Sequence, residues 1–169
     1  VKHTTSKLLA LAKSKGTPLS VIYINCKLKK VADTEYRLIA HLARECGKEV
    51  PDTGLPTSEV YRLFFSSISA SEKTYLLILD EIDVLAKKAG DEILYNLTRI
   101  NEELKNAQIS LIGISNDLVF VDNLDPRVKS SLSEEEVVFP PYNALQIQDI
   151  LKERAQLAFK PGAIAEGVL

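Results

Sequence analysis

The stretch Leu76-Leu-Ile-Leu-Asp-Glu81 decides the fold, because an apolar run ends there directly in two carboxylates. The run does not alternate apolar with polar residues, which predicts a strand covered on both faces. Similar apolar runs lie at residues 21–24, 111–114 and 137–139. We therefore predict an α/β fold in which a parallel sheet carries helices on both faces.

Amphipathic stretches separate these runs and predict the helices of that fold. They lie at residues 4–14, 34–46, 57–69, 91–106 and 143–158. Thr57 or Ser58 is predicted to cap the third helix. Asn143, followed three residues later by Gln146, predicts a capping box at the last one.

Composition limits the classes of protein to consider. The chain has 169 residues, a length that fits one domain. Its formal net charge of −2 excludes a strongly basic protein that coats nucleic acid. It offers no apolar run long enough to span a membrane. Its two cysteines fit neither a disulfide scaffold nor a zinc site, so a reducing cytoplasm is the expected compartment. Because the chain lacks Met and begins with Val1, we expect it to be part of something longer.

Carboxylates at the end of a parallel strand occupy the place where α/β sheets bind ligands. Asp80 could hold Mg²⁺ of a bound nucleotide, and Glu81 could deprotonate an attacking water. Asn116, after the run at 111–114, could bind a phosphate oxygen or that water through its amide. The alternative is that Asp80 and Glu81 are solvated acids and that Asn116 is a turn residue.

A short helix is predicted after Asp125, with Pro126 at its first position. Arg127 and Lys129 on this helix could contact phosphate, and the planar guanidinium favours Arg127. A surface ion pair with Asp125 or with Glu134 to Glu136 is the alternative. The chain contains no G-x-x-x-x-G-K-[ST] phosphate loop, so its residues alone make an incomplete nucleotide site.

Together these motifs resemble one family. Residues 76–83 resemble the Walker B strand of AAA+ ATPases. Residues 124–132, followed by 139–144 and 150–154, are similar to the initiator branch, the archaeal and eukaryotic origin-recognition and cell-division-control replication proteins. Residues 21–26 fit that family's second strand. The resemblance covers essentially the whole chain.

The resemblance implies a role for each candidate residue. Asp80 would coordinate Mg²⁺, Glu81 would be the hydrolytic base, and Asn116 would be the sensor that reports on the γ-phosphate of ATP. Arg127 would be the arginine finger that reaches a neighbouring subunit's nucleotide, with Lys129 as the competing candidate.

An insertion at residues 51–69, with Leu55, Pro56 and Thr57 at its tip, would touch DNA, and an apolar wedge there could enter a minor groove. An ordinary helix–helix loop is the alternative.

The resemblance also implies that pieces of the family's fold lie outside this chain. The first strand and the phosphate loop would precede Val1, and the sensor-2 arginine and a winged-helix domain would follow Leu169. Residues 1–140 would then be a partial nucleotide-binding core, and residues 141–169 the beginning of a helical lid.

The expected function is that of a DNA replication initiator switched by ATP binding and hydrolysis. Its partners would be double-stranded origin DNA and other initiator or helicase-loading subunits, without a membrane, and its cofactors would be ATP or ADP with Mg²⁺. The full protein would be an ATPase, whereas this chain alone would be inactive. The alternatives are another AAA+ branch, such as a clamp loader or a signalling ATPase, and a degenerate module that only binds partners.

Overall fold

The protein is described from a computed structural model that covers residues 1–28, 31–132, 135–160 and 163. Its described sheet has the strand order β1-β2-β3, with all neighbours parallel and β2 in the centre. The strands are β1 (Leu19–Asn25), β2 (Thr74–Asp80) and β3 (Gln108–Ile114). Asn25, Asp80 and Ile114 lie at the same level, so all three strands end at one edge. The predicted parallel sheet is confirmed.

Seven helices are described, and every predicted helix has a counterpart among them. They are α1 (Lys2–Ser14), α2 (Glu35–Glu45), α3 (Thr57–Ser69), α4 (Ile82–Ala89), α5 (Glu92–Arg99), α6 (Pro126–Leu132) and α7 (Ala144–Ala158). The predicted capping box at Asn143 and Gln146 is present. Helix α4, directly after the two carboxylates, was not predicted.

The two faces of the sheet have different neighbours. Side chains such as Ile24 and Leu79 point to one face and join the buried core with residues of α2 to α6. On the other face α1 lies against β1, and the ammonium of Lys2 sits 5.4 Å from the ring centre of Tyr23. The sheet therefore has helices on both faces, as predicted. The expectation that every strand is covered on both faces is wrong, because Tyr23 of β1 and Ile112 of β3 are 40% and 41% exposed.

The fourth predicted strand, at residues 137–139, is wrong. Within the described ranges this segment joins no sheet. It has three residues where the true strands have seven, and Pro140 and Pro141 follow it without backbone N–H groups to continue a ladder. Apolar content without length does not specify a strand.

The helix predicted over residues 91–106 is shorter in the structure. It consists of α5 and a 3-10 turn at Ile100–Glu102. The side chain of Asn101 accepts a hydrogen bond from the Ile109 N–H at 2.8 Å and donates one to the Ile109 carbonyl at 2.7 Å. These two bonds tie the chain to the start of β3 and end the helix early.

The predicted cap of α3 is also wrong. Pro56 occupies the cap position, and no side chain caps the helix there. The Pro56 carbonyl instead accepts hydrogen bonds from the N–H groups of Glu59 and Val60. Proline is suited to this place because its missing N–H would have no helical partner.

The chain divides into two compact units, Val1–Glu134 and Glu135–Leu169. The assignment of residues 1–140 to a nucleotide-binding core and 141–169 to a helical lid stays a prediction, and residues 161–162 and 164–169 lie outside the described part. No helix within the described ranges is long and apolar enough to cross a membrane.

Gly113 permits a close approach between β3 and α4. A Cβ atom at this position would lie 2.8 Å from Cδ1 of Ile82, which is closer than carbon atoms can pack. Ile82 is fully buried and begins α4. The absence of a side chain at residue 113 therefore sets how closely α4 packs on the sheet.

We predict that Gly113→Ala lowers the free energy of unfolding by about 1–3 kcal/mol, because the added Cβ crowds the buried side chain of Ile82. Ile82→Val removes the clashing Cδ1 and alone costs about 0.5–1.5 kcal/mol. The double variant should therefore lose less stability than the sum of the two single losses, measured by denaturant unfolding. Strictly additive losses would show that these two residues do not compete for the same space.

Candidate functional site

Polar side chains from the ends of β2 and β3 meet at one edge of the sheet. Asp80 is the last residue of β2, Glu81 follows it, and Asn116 lies two residues beyond β3. The Asn116 amide donates a long hydrogen bond of 3.5 Å to Oε1 of Glu81. The structure thus brings together the three residues that the sequence singled out at strand ends.

Asp80 is held by two hydrogen bonds. The hydroxyl of Tyr23 donates to Oδ2 of Asp80, and the backbone N–H of Glu81 donates to Oδ1 at 3.1 Å. Sequence reasoning missed Tyr23. In the sequence, Tyr23 is marked by a hydroxyl group within the apolar run at residues 21–24. Its place on the same face of the sheet as Asp80 follows from the register of β1 and β2.

Glu81 has an unusual backbone conformation. Its φ of 56° and ψ of 46° lie in the left-handed region, which no other non-glycine residue of the described chain adopts. Such a conformation costs on the order of 1–3 kcal/mol and persists only where the surrounding structure enforces it. It turns the chain sharply from β2 into α4 and leaves the half-buried Glu81 side chain beside Asn116.

A lysine also faces the Glu81 carboxylate. Nζ of Lys27 lies 3.8 Å from Oε1 of Glu81, and the Lys27 side chain is 70% exposed. An ion pair this exposed contributes little to stability. It does place one positive charge beside the carboxylate of Glu81 at this edge of the sheet.

Arg127 lies on α6 beside α5. Its guanidinium makes an ion pair with Asp125, with Nε 3.1 Å from Oδ1, and lies 5.3 Å from the ring centre of Tyr95. The pair raises the pKa of Arg127 and lowers that of Asp125. The surface ion pair considered as an alternative therefore exists, and the described contacts do not include one between Arg127 and Glu81.

Lys129 has a similar arrangement on the same helix. Its Nζ lies 2.6 Å from Oδ1 of Asp122. Both candidate fingers are exposed and paired with a nearby acid, so geometry within this chain does not choose between them. Each would have to leave its surface acid to reach a ligand.

The tip of the candidate DNA-contacting segment is only partly exposed. Leu55 packs against the hydrophobic core, whereas Gly54 and Pro56 are exposed. Two residues of α2 fix the preceding turn: Arg44 donates to the Val50 carbonyl, and Tyr36 donates to the Pro51 carbonyl. These two hydrogen bonds anchor a turn whose residues 51–54 and 56 are exposed.

The carboxylates at this edge of the sheet suit a cation that takes most of its ligands from phosphates and water. The described residues contain no group of three or more side chains that could bind a metal by themselves. Mg²⁺ at nucleotide sites typically takes one or two carboxylates and completes its shell with phosphates and water. Asp80 offers a hard oxygen of this kind.

Comparison with known proteins identifies relatives over the whole chain. The ORC1-type DNA replication protein of Pyrococcus abyssi is 54% identical over 100% of this chain and 41% of the relative. The ORC1-type DNA replication protein 1 of Methanosarcina mazei is 51% identical over 99% of this chain and 40% of the relative. The chain thus spans about two fifths of the length of the curated relatives it matches. No protein-family profile matches it.

Solved structures agree with the sequence comparison. The Aeropyrum pernix ORC1 protein, solved in complex with DNA, is 46% identical, with a TM-score of 0.84 over 95% of this chain and 41% of its own. The ADP form of the Aeropyrum pernix ORC2 protein is 21% identical, with a TM-score of 0.77 over 97% of this chain and 43% of its own. The second likeness concerns the fold alone.

We predict that Tyr23 ionises above the ordinary tyrosine pKa. Its hydroxyl donates to Asp80, and the negative charges of Asp80 and Glu81 disfavour the phenolate. Asp80→Asn removes the nearest charge and should bring the Tyr23 pKa down toward 10, measured by NMR of ring-labelled tyrosine. The NMR signal of Tyr23 is assigned as the one that is missing in Tyr23→Phe. An unchanged Tyr23 pKa in Asp80→Asn would contradict the hydrogen bond.

Proposed function

Because the chain is homologous over its whole length to part of the ORC1-type DNA replication proteins, we propose that it forms the nucleotide-responsive core of a replication initiator. In this proposal the full-length protein binds double-stranded origin DNA, and adenine nucleotide acts as the switch. The observation that carries it is the convergence of Asp80, Glu81 and Asn116 at the carboxyl edge of the sheet.

Asp80 would hold the Mg²⁺ that accompanies ATP or ADP. When bound, this ion would neutralise phosphate charge and orient the phosphates. Asp80 suits the role because its carboxylate ends a buried central strand and is already oriented by Tyr23. The choice of adenine nucleotide rests on the resemblance of residues 76–83 to the Walker B strand of AAA+ ATPases. The phosphate loop would come from outside this chain.

Glu81 would accept a proton from an attacking water, and Asn116 would hold that water or a phosphate oxygen. A general base must lie within hydrogen-bonding reach of the proton it takes. Glu81 and Asn116 lie 3.5 Å apart, so a water beside them could donate to the Glu81 carboxylate and accept from the Asn116 amide. Such catalysis consists of positioning and electrostatic stabilisation.

Arg127 would act on the nucleotide of a neighbouring subunit, with Lys129 as the other candidate. Arg127 is favoured because its planar guanidinium can donate two parallel hydrogen bonds to phosphate oxygens. It would exchange Asp125 for phosphate, and the 64% exposure of its side chain leaves it accessible for that exchange. The partners implied are other initiator or helicase-loading subunits.

Residues Leu55, Pro56 and Thr57 would approach duplex DNA at the start of α3. Support comes from the Aeropyrum pernix ORC1 protein, which is 46% identical and was solved with DNA. Leu55 is packed on the core, so Pro56 and the preceding turn would make the approach.

Glu81→Gln in the full-length protein should abolish ATP turnover and leave ATP binding largely intact, because the amide keeps the shape of the side chain but cannot accept the proton. The measurement is steady-state phosphate release together with equilibrium binding of labelled ATP. Glu103→Gln changes an exposed glutamate away from the strand ends and should behave as wild type. Turnover that persists in Glu81→Gln would mean that Glu81 is not the base.

Pro56→Glu in the full-length protein should weaken binding to duplex DNA about three- to tenfold at low salt, because it sets a carboxylate against the phosphates. The loss should shrink as salt is raised, which fluorescence anisotropy over a salt series can measure. Pro18→Glu, an exposed proline at the opposite edge of the sheet, is the matched control. Equal affinities for the two variants would remove this loop from the DNA interface.

A further inference from the structure

We propose that Asp83 and Ser115 are positioning residues that lock Asn116 in place against Glu81. The inference rests on the proposed function, since it concerns the same two catalytic candidates. It deepens that function by assigning a role to two polar side chains that face the space between β3 and α4.

Asp83 is a buried carboxylate in an otherwise apolar part of the helix. It is 8% exposed, and its neighbours Ile82 and Leu85 are buried in the core. Taking a carboxylate out of water is costly unless it is hydrogen-bonded or paired. An apolar residue of similar size would pack there at lower cost, so the carboxylate calls for an explanation beyond packing.

The partner of Asp83 comes from the end of the neighbouring strand. The hydroxyl of Ser115 donates to Oδ1 of Asp83 at 3.0 Å across 32 residues of sequence. Asp83 lies two residues after Glu81, and Ser115 directly precedes Asn116. The hydrogen bond therefore connects the two segments that carry the catalytic candidates.

Ser115 also fixes the backbone beyond Asn116. Its Oγ accepts a hydrogen bond from the N–H of Asp117 at 3.0 Å, which closes a turn around Asn116. One hydroxyl thus anchors the residues on both sides of Asn116, as donor to α4 and acceptor from the loop. The Asn116 side chain is itself exposed, and its described contact is the long bond to Glu81. Its position is therefore set by its backbone.

Lys87 contributes to the same network from the surface. Its Nζ lies 3.1 Å from Asp117 and 3.6 Å from Asp83, so it spans the loop and the helix. The Lys87 side chain is 65% exposed, and exposed ion pairs are weak. The lock consequently depends on the shielded bond between Asp83 and Ser115, and that bond is the one to test.

The first test measures ATP turnover and ATP binding by the full-length protein with Ser115→Ala. A loosened Asn116 should lower kcat by about tenfold or more, because small misplacements of a catalytic group are costly. The Kd for labelled ATP should stay within about twofold of wild type. Ser115→Thr keeps the hydroxyl and should restore kcat. Ser110→Ala, at an exposed position of β3, is the control.

The second test asks whether the two residues act through one bond. Asp83→Ala combined with Ser115→Ala should lower kcat no further than Asp83→Ala alone. Independently of turnover, Asp83→Ala without nucleotide should speed hydrogen exchange in a peptide covering residues 112–118, because the loop loses its anchor on α4.

The outcomes separate this inference from the proposed function. Wild-type kcat in Ser115→Ala, while Glu81→Gln abolishes turnover, would overturn the lock and leave the function standing. A fall in Tm with parallel loss of ATP binding in Ser115→Ala would make the bond structural and would also overturn the lock. Persistent turnover in Glu81→Gln would overturn the proposed function and this inference with it.

Discussion

Strand β2 is hydrogen-bonded to a parallel neighbour on both sides along its whole length, so its backbone can leave the sheet only at Asp80. The pairing is in register, which brings the ends of β1 and β3 to the same level. Everything at the candidate site follows from this constraint. Tyr23 reaches Asp80 from β1, and Asn116 reaches Glu81 from the loop after β3.

The exit from β2 is sharp because Glu81 adopts a left-handed conformation and α4 begins at the next residue. Two features hold α4 in place beside β3. Gly113 leaves room for Ile82, and the carboxylate of Asp83 accepts the hydroxyl of Ser115. Strain at Glu81 is thus offset by packing and by a partly buried hydrogen bond immediately after it, which is a common arrangement at functional sites.

Much of this fold could be predicted from the sequence, because short apolar runs that alternate with amphipathic helices specify a parallel sheet. Of the three strands, only β2 is buried along most of its length. The capping box at Asn143 was equally readable. Helix α4 escaped prediction because it starts without a turn residue, at a glutamate whose backbone is forced by its surroundings. The strand predicted at residues 137–139 was wrong because three apolar residues before two prolines lack the length for a ladder.

The residues of the candidate site also fall into a group that the sequence identifies and a group that only the structure identifies. Asp80, Glu81 and Asn116 could be identified because their place relative to a strand is a local property of the sequence. Tyr23, Asp83 and Ser115 could not, because their roles depend on register and on contacts across 57 and 32 residues. Those contacts exist only once the sheet has formed. Arg127 remains a proposal because its ligand would belong to another subunit.

The most direct test of the central claim is equilibrium binding of ATP to the full-length protein with Mg²⁺ and with EDTA, for wild type and for Asp80→Asn. If the carboxyl edge of β2 holds the ion that accompanies nucleotide, wild type binds ATP more tightly with Mg²⁺. Asp80→Asn should then bind ATP equally under both conditions. If Asp80→Asn keeps the full Mg²⁺ dependence of wild type, this edge of the sheet is not the nucleotide site.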